Sequence, residues 1–169
     1  ADKLSYGSMP LMLQPWDLLR FHDQPDVLAN GYVLVIGELM PAAEATRRLL
    51  KGDPVLRKPL IDAIAGSALR PKLTVLDAIA AGSTRDAFKL KAEDAIAALA
   101  DPSLAVRGAA LDAVIAAGFA GSKAVIAALE AMVENDTDTE LKLRAVKALS
   151  KAGIAKYDDL LETEKLKSG

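Results

Sequence analysis

The single histidine of this 169-residue chain, His22, lies in Arg20-Phe21-His22-Asp23, with Asp17 close by. A His–Asp pair can take up and pass on a proton near neutral pH. Acyl-transfer chemistry would also need a nucleophile, and no Gly-x-Ser-x-Gly turn occurs. His22 therefore reads as a surface or capping histidine ahead of Pro25. Gly31 and Gly37 flank an apolar run, but neither a Gly-x-Gly-x-x-Gly nor a Gly-x-x-x-x-Gly-Lys phosphate loop is present. In Glu134-Asn135-Asp136-Thr137-Asp138-Thr139-Glu140 the alternating oxygens suggest calcium. Counting from Asp136, however, the loop positions that need Gly and Glu hold Leu141 and Lys147. This stretch reads instead as a polar loop whose Asp138 caps the next helix. Without cysteine, and with one histidine, thiol chemistry and multi-histidine zinc sites are excluded. No catalytic residue, cofactor or metal is expected.

Surface features that could recognise a partner are few. Arg47, Arg48, Lys51, Arg57, Lys58, Arg70 and Lys72 gather positive charge between residues 47 and 72, whereas residues 1–42 hold five acids and two bases. The net charge of −2, the interspersed Glu44, Asp53 and Asp62, and the lack of interleaved aromatics argue against a nucleic-acid surface. Trp16 and Phe21, with Leu11, Met12, Leu18 and Leu19, form the one bulky cluster. It suits either an end cap or a docking segment. Trp16, Phe21, Arg47, Arg48, Arg57 and Lys58 are the candidate partner contacts.

The elements that must position these residues are helical. Apolar residues make up 51% of the chain and aromatics 4%, with abundant alanine after residue 41. This composition excludes disorder and disfavours an aromatic-rich β-sandwich. Pro41, Pro54, Pro71 and Pro102 suit first helical turns, Asp53 and Asp101 suit N-caps, and Gly66, Gly82, Gly118 and Gly153 suit helix ends. This punctuation predicts helices over 42–51, 54–65, 71–81, 85–99, 102–117, 122–134, 138–152 and 156–166. The β-branched run Tyr32 to Ile36 lacks an evident partner strand, so 26–40 is predicted as a buried helix. No segment reaches the ~20 apolar residues of a membrane span.

The helix-ending glycines recur: 36 positions separate Gly82 from Gly118 and 35 separate Gly118 from Gly153. Leu76-Asp77-Ala78-Ile79-Ala80-Ala81-Gly82 is echoed by Leu111-Asp112-Ala113-Val114-Ile115-Ala116-Ala117-Gly118 and, more loosely, by Ala145 to Gly153. Asp101 precedes Arg107 by six residues, as Asp138 precedes Arg144. A two-helix unit of this length cannot bury its own apolar face and must stack on its neighbours.

Asp101-Pro102-Ser103-Leu104-Ala105-Val106-Arg107-Gly108-Ala109-Ala110 resembles the second helix of a HEAT repeat, and Asp138 to Gly153 is similar. The resemblance is clear for about 85–153 and weaker for 41–84. It implies an all-α, right-handed α-solenoid of stacked antiparallel helical hairpins. It also implies that Asp101, Arg107, Asp138 and Arg144 form a structural ladder between repeats. Arginine suits that role because its fork of donors can bridge a carboxylate and helix-end carbonyls together.

The expected organisation is a cloning or processing remnant over 1–8, an atypical N-terminal cap over 9–40, HEAT-like repeats over 41–153 and a capping helix over 154–169. The expected function is non-enzymatic: a protein–protein interaction or scaffold module whose partner is another protein, with self-association possible. Relatives implied by the resemblance also include nucleic-acid-binding or DNA-repair-like proteins and pigment-lyase-like accessory proteins. The expected compartment is the cytoplasm, with the periplasm or secretion as alternatives.

Overall fold

A computed structural model describes residues 10–168. The fold is predominantly helical, as the alanine content and the Pro/Gly punctuation predict, with one small sheet near the N-terminus. The remnant expected over 1–8 lies outside the described residues.

The N-terminal part runs β1 (Leu11–Leu13), α1 (Asp17–Phe21), α2 (Pro25–Ala29), β2 (Gly31–Val35), β3 (Glu38–Pro41) and α3 (Ala42–Leu50). The helix expected over 26–40 is therefore corrected to a short helix and a hairpin. β2 lies in the middle, parallel to β1 and antiparallel to β3. Ile36 and Gly37 make the two-residue turn, both with positive φ (49° and 76°), as a tight hairpin with the twist of its strands requires. Val33 and Val35 point inward and are buried, while Tyr32 and Leu34 point outward. Both faces are apolar, so the alternation that marks a half-buried strand was invisible in the sequence. Gly31 is required where β2 starts: a Cβ there would lie 3.0 Å from Leu13 Cδ1 and 3.1 Å from the Val27 carbonyl.

The rest is helical: α4 (Pro54–Ala65), α5 (Leu69–Ala80), α6 (Gly82–Ala87), a 3₁₀ helix (Ala92–Ala100), α7 (Leu104–Ala117), α8 (Lys123–Asn135), α9 (Thr139–Lys151) and α10 (Ala155–Ser168). The single helix expected over 85–99 is divided at Phe88–Lys91, where Lys89 takes a positive φ of 56° and Phe88 and Leu90 turn inward. Gly82 opens α6 rather than ending a helix. Asp101 is not an N-cap: Ser103 caps α7 through the Val106 N–H, and Asp101 accepts from the Ser103 N–H. Asp53, Ser122 and Asp138 cap α4, α8 and α9. Gly118 and Gly153 close α7 and α9 at φ of 80° and 91°, where a side chain would be strained.

Helices α5, α7 and α9 begin at residues 69, 104 and 139, a step of 35 each time. Their buried residues keep the same step: Val75, Ala110 and Ala145; Leu76, Leu111 and Val146; Ala78, Ala113 and Ala148; Ile79, Val114 and Leu149. Two of the four α7 members, Ala110 and Ala113, are alanines, whose small side chains leave room for neighbouring helices. α5 packs on α7 and α7 on α9, while α4 packs on the 3₁₀ helix and that helix on α8. The core is one continuous cluster reaching from Leu13 and Leu18 to Tyr157. α1 joins it by packing on α5 through buried Leu18 and Leu19. At the other end, α10 packs on α9 with Tyr157 buried. Among the described residues no helix is long and apolar enough to cross a membrane.

Candidate functional site

Three features stand out: a set of ion pairs between helices, a cleft between α1 and α5, and the outer face of the sheet.

The ion pairs follow the 35-residue step. Lys72 on α5 binds Asp101, and Arg107, 35 residues later on α7, binds Asp136, 35 residues after Asp101. Asp101 and Asp136 play the same local part as well, accepting the N–H two residues on, from Ser103 and Asp138 respectively. Arg107 donates from Nε and Nη2 to the two oxygens of Asp136 at 2.9 and 3.3 Å. Its Nη1 donates to the Asp101 and Pro102 carbonyls at 3.0 and 3.1 Å. One guanidinium thus ties the end of the 3₁₀ helix to the end of α8, using the planar fork that lysine lacks. Burial pushes the Asp101 carboxyl up, but the Lys72 ammonium and the Ser103 N–H outweigh it and hold it below the ordinary carboxylate range.

The ladder expected from Asp101, Arg107, Asp138 and Arg144 is thus rearranged. Arg107 hydrogen-bonds Asp101 through its main-chain carbonyl alone, and the carboxylate of Asp101 belongs to Lys72. Asp138 is an N-cap for the Leu141 N–H. Arg144 pairs with Asp112 on the exposed side of α7. Lys72 and Asp136 were missed. The signal was available, since both sit on the 35-residue step, but Asp138 and Arg144 match Asp101 and Arg107 at a step of 37.

Each candidate partner contact is already engaged within the chain. Arg47 pairs with Glu44, Arg48 with Asp53, and Lys58 with Asp62, each within or next to its own helix. Arg57 is half-buried, bridging the Asp94 carboxylate and the Phe88 carbonyl. Every one of these four cations already carries a carboxylate. Trp16 and Phe21 are partly buried and pack against the core around α1. Their bulk serves to seat the N-terminal helix.

The cleft has a volume of about 770 Å³. Leu19, Leu73 and Ala78 provide its apolar wall, and Arg20, His22, Asp23, Arg70, Thr74, Asp77 and Thr84 its polar groups. His22 stands edge-on to Phe88, ring centres 5.1 Å apart, with Nε2 3.4 Å from the Thr84 hydroxyl. Partial burial and the nearby Asp112 charge push the Asp77 carboxyl up. No group of three His, Asp or Glu among the described residues is placed to hold a metal.

The outer face of the sheet is apolar and open to solvent. Met12, Tyr32 and Pro41 lie side by side across β1, β2 and β3, and Leu34 faces Leu39 beside them. Met12 is 62% exposed, Leu34 53%, Leu39 56% and Ile36, at the turn, 72%. No charged side chain interrupts these rows. Large apolar groups gathered on one open face mark interaction surfaces in soluble proteins.

No family model matches the chain, and no curated protein or solved structure matches it.

Proposed function

We propose that the chain is a non-enzymatic protein–protein interaction module, built as a HEAT-like stack of helical hairpins that carries a small sheet at one end. The stack reading rests on the 35-residue step shared by α5, α7 and α9, by their buried residues and by the Lys72–Asp101 and Arg107–Asp136 pairs. The interaction reading rests on one observation above the others: the outer rows Met12-Tyr32-Pro41 and Leu34-Leu39 are apolar and solvent-exposed. Among the described residues the core is completed by the other face of the sheet. A partner that covers them would gain roughly 25 cal/mol for each Å² of apolar surface removed from water.

The pairing of Arg47, Arg48, Arg57 and Lys58 with carboxylates weighs against the nucleic-acid alternative. No observation favours a pigment-lyase-like role.

Affinity capture with the wild-type chain and a Leu34→Thr/Leu39→Thr variant as baits tests the proposal. Threonine is β-branched and suits a strand while removing apolar surface. A stoichiometric protein retained by the wild type and lost by the variant is the expected result. Equal retention by both baits would place the interaction elsewhere.

A further inference from the structure

The sequence contains eight arginines. Six of them, Arg47, Arg48, Arg57, Arg85, Arg107 and Arg144, lie within 4 Å of a carboxylate. The two that make no ion pair with any described residue, Arg20 and Arg70, come from different helices and line the same cleft between α1 and α5. Arg20 instead stacks its guanidinium 5.3 Å from the Phe21 ring centre. Carboxylates are present in the cleft, Asp23 and Asp77, yet neither pairs with these arginines. The other six guanidiniums pair within the chain, so two that make no ion pair with a described residue, on the two helices lining one concave, partly apolar site, suit an external anion.

The α5 wall has a further order. Arg70, Thr74 and Asp77 follow one another at helical spacing along the cleft, with Leu73 beside them. Arg70 and Asp77 are seven residues apart, about 10 Å along the helix axis. The wall therefore runs from Arg70, across apolar and hydroxyl groups, to the exposed Asp77 carboxylate, and neither end makes an ion pair with a described residue.

We propose that this cleft is a binding site for an amphipathic oxyanion. Its carboxylate or phosphate would be held between Arg20 and Arg70, its apolar body would lie on Leu19, Leu73 and Ala78, and a cationic or hydrogen-bond-donating group would reach Asp77. Such a group comes either from the side chains of a bound peptide or from a free small molecule. The site is separate from the outer face of the sheet, so the inference goes beyond the interaction reading and stands or falls apart from it.

The test is a titration of the full chain followed through the arginine Nε–H signals in nuclear magnetic resonance spectra. Two probes are used: inorganic phosphate, and a blocked helical peptide of about 12 residues carrying Glu and Lys two turns apart. The expected result is saturable shifts of the Arg20 and Arg70 signals. Arg70→Glu should weaken both probes by about tenfold or more, the loss of one charge-assisted contact. Asp77→Asn should weaken the peptide and leave phosphate unchanged. Arg20 and Arg70 are exposed, so these variants are expected to fold, and Arg70→Gln provides a milder second variant. Tighter binding of the peptide supports a peptide source, and equal binding of phosphate supports a free small anion. Shifts that fail to saturate for both probes, or affinities unchanged by Arg70→Glu and Arg70→Gln, would overturn the site.

Discussion

Residues 10–41 and residues 69–151 solve the same problem, covering an apolar face, with different degrees of completeness. In α5, α7 and α9 each apolar stripe meets a neighbour, and the ends are tied by Lys72–Asp101 and Arg107–Asp136. In the sheet only the inner face, Leu13, Val33, Val35 and Met40, is covered. The outer face carries side chains of the same kind, and they are exposed. The difference separates apolar residues that hold the fold from apolar residues available to a partner, and only the packing distinguishes the two.

The largest effect that would sharpen this contrast lies in α7. Leu111 on α7 is fully buried, and Leu111→Ala should cost about 2–5 kcal/mol, combining lost burial with a cavity. Urea denaturation measures it; a loss below about 1 kcal/mol would mean that α7 is not held between its neighbours as described.

Next come the ties. Asp136→Ala leaves Arg107 partly buried without its carboxylate and should cost about 3 kcal/mol or more. The exposed pair between Arg144 and Asp112 should be worth less than about 1 kcal/mol, so Arg144→Ala should be nearly silent. Comparable losses from the two variants would contradict the assignment of Arg107–Asp136 as the tie and Arg144–Asp112 as surface.

Acid should loosen the tie between Lys72 and Asp101. The Asp101 carboxyl is held below its ordinary range, so it stabilises the fold above that range and the contribution fades as pH falls through the lowered folded value. Stability should therefore drop on acidification from neutral pH to about pH 3, and less steeply in Asp101→Asn, which no longer titrates there. Parallel curves for the two proteins would show that this pair carries none of the acid sensitivity.

A smaller effect probes the hairpin. Gly37→Ala places a side chain at φ of 76° and should cost about 1 kcal/mol, while open space around the position adds no clash. Hydrogen exchange at the β2 and β3 amides should rise without a matching change in α7. Uniform acceleration across the chain would mean that sheet and helices open as one unit.

Much of the helical part was legible in the sequence, because proline, glycine and the capping residues act locally. The α4 boundaries, 54 to 65, follow from Asp53-Pro54 and Gly66. The sheet was not legible. Its three strands are short, β1 is parallel to a strand that follows two helices, and its two apolar faces erase the alternation that would have announced it. For the ladder, Asp101 and Arg107 were visible, but their true partners depend on how one helix pair is set against the next. The six-residue spacing within a helix start drew attention to Asp138 and Arg144. The 35-residue step between helices, which brings in Lys72 and Asp136, is the spacing that three-dimensional packing uses.

The measurement that bears most directly on the contrast between the two regions is the urea midpoint of Leu34→Thr/Leu39→Thr beside that of the wild type. If the outer face of the sheet is apolar for a partner and not for the fold, the two midpoints should agree to within about 0.5 kcal/mol of stability. A loss of the size expected for Leu111→Ala would show that the outer rows belong to the core, and the interaction surface would have to be sought elsewhere.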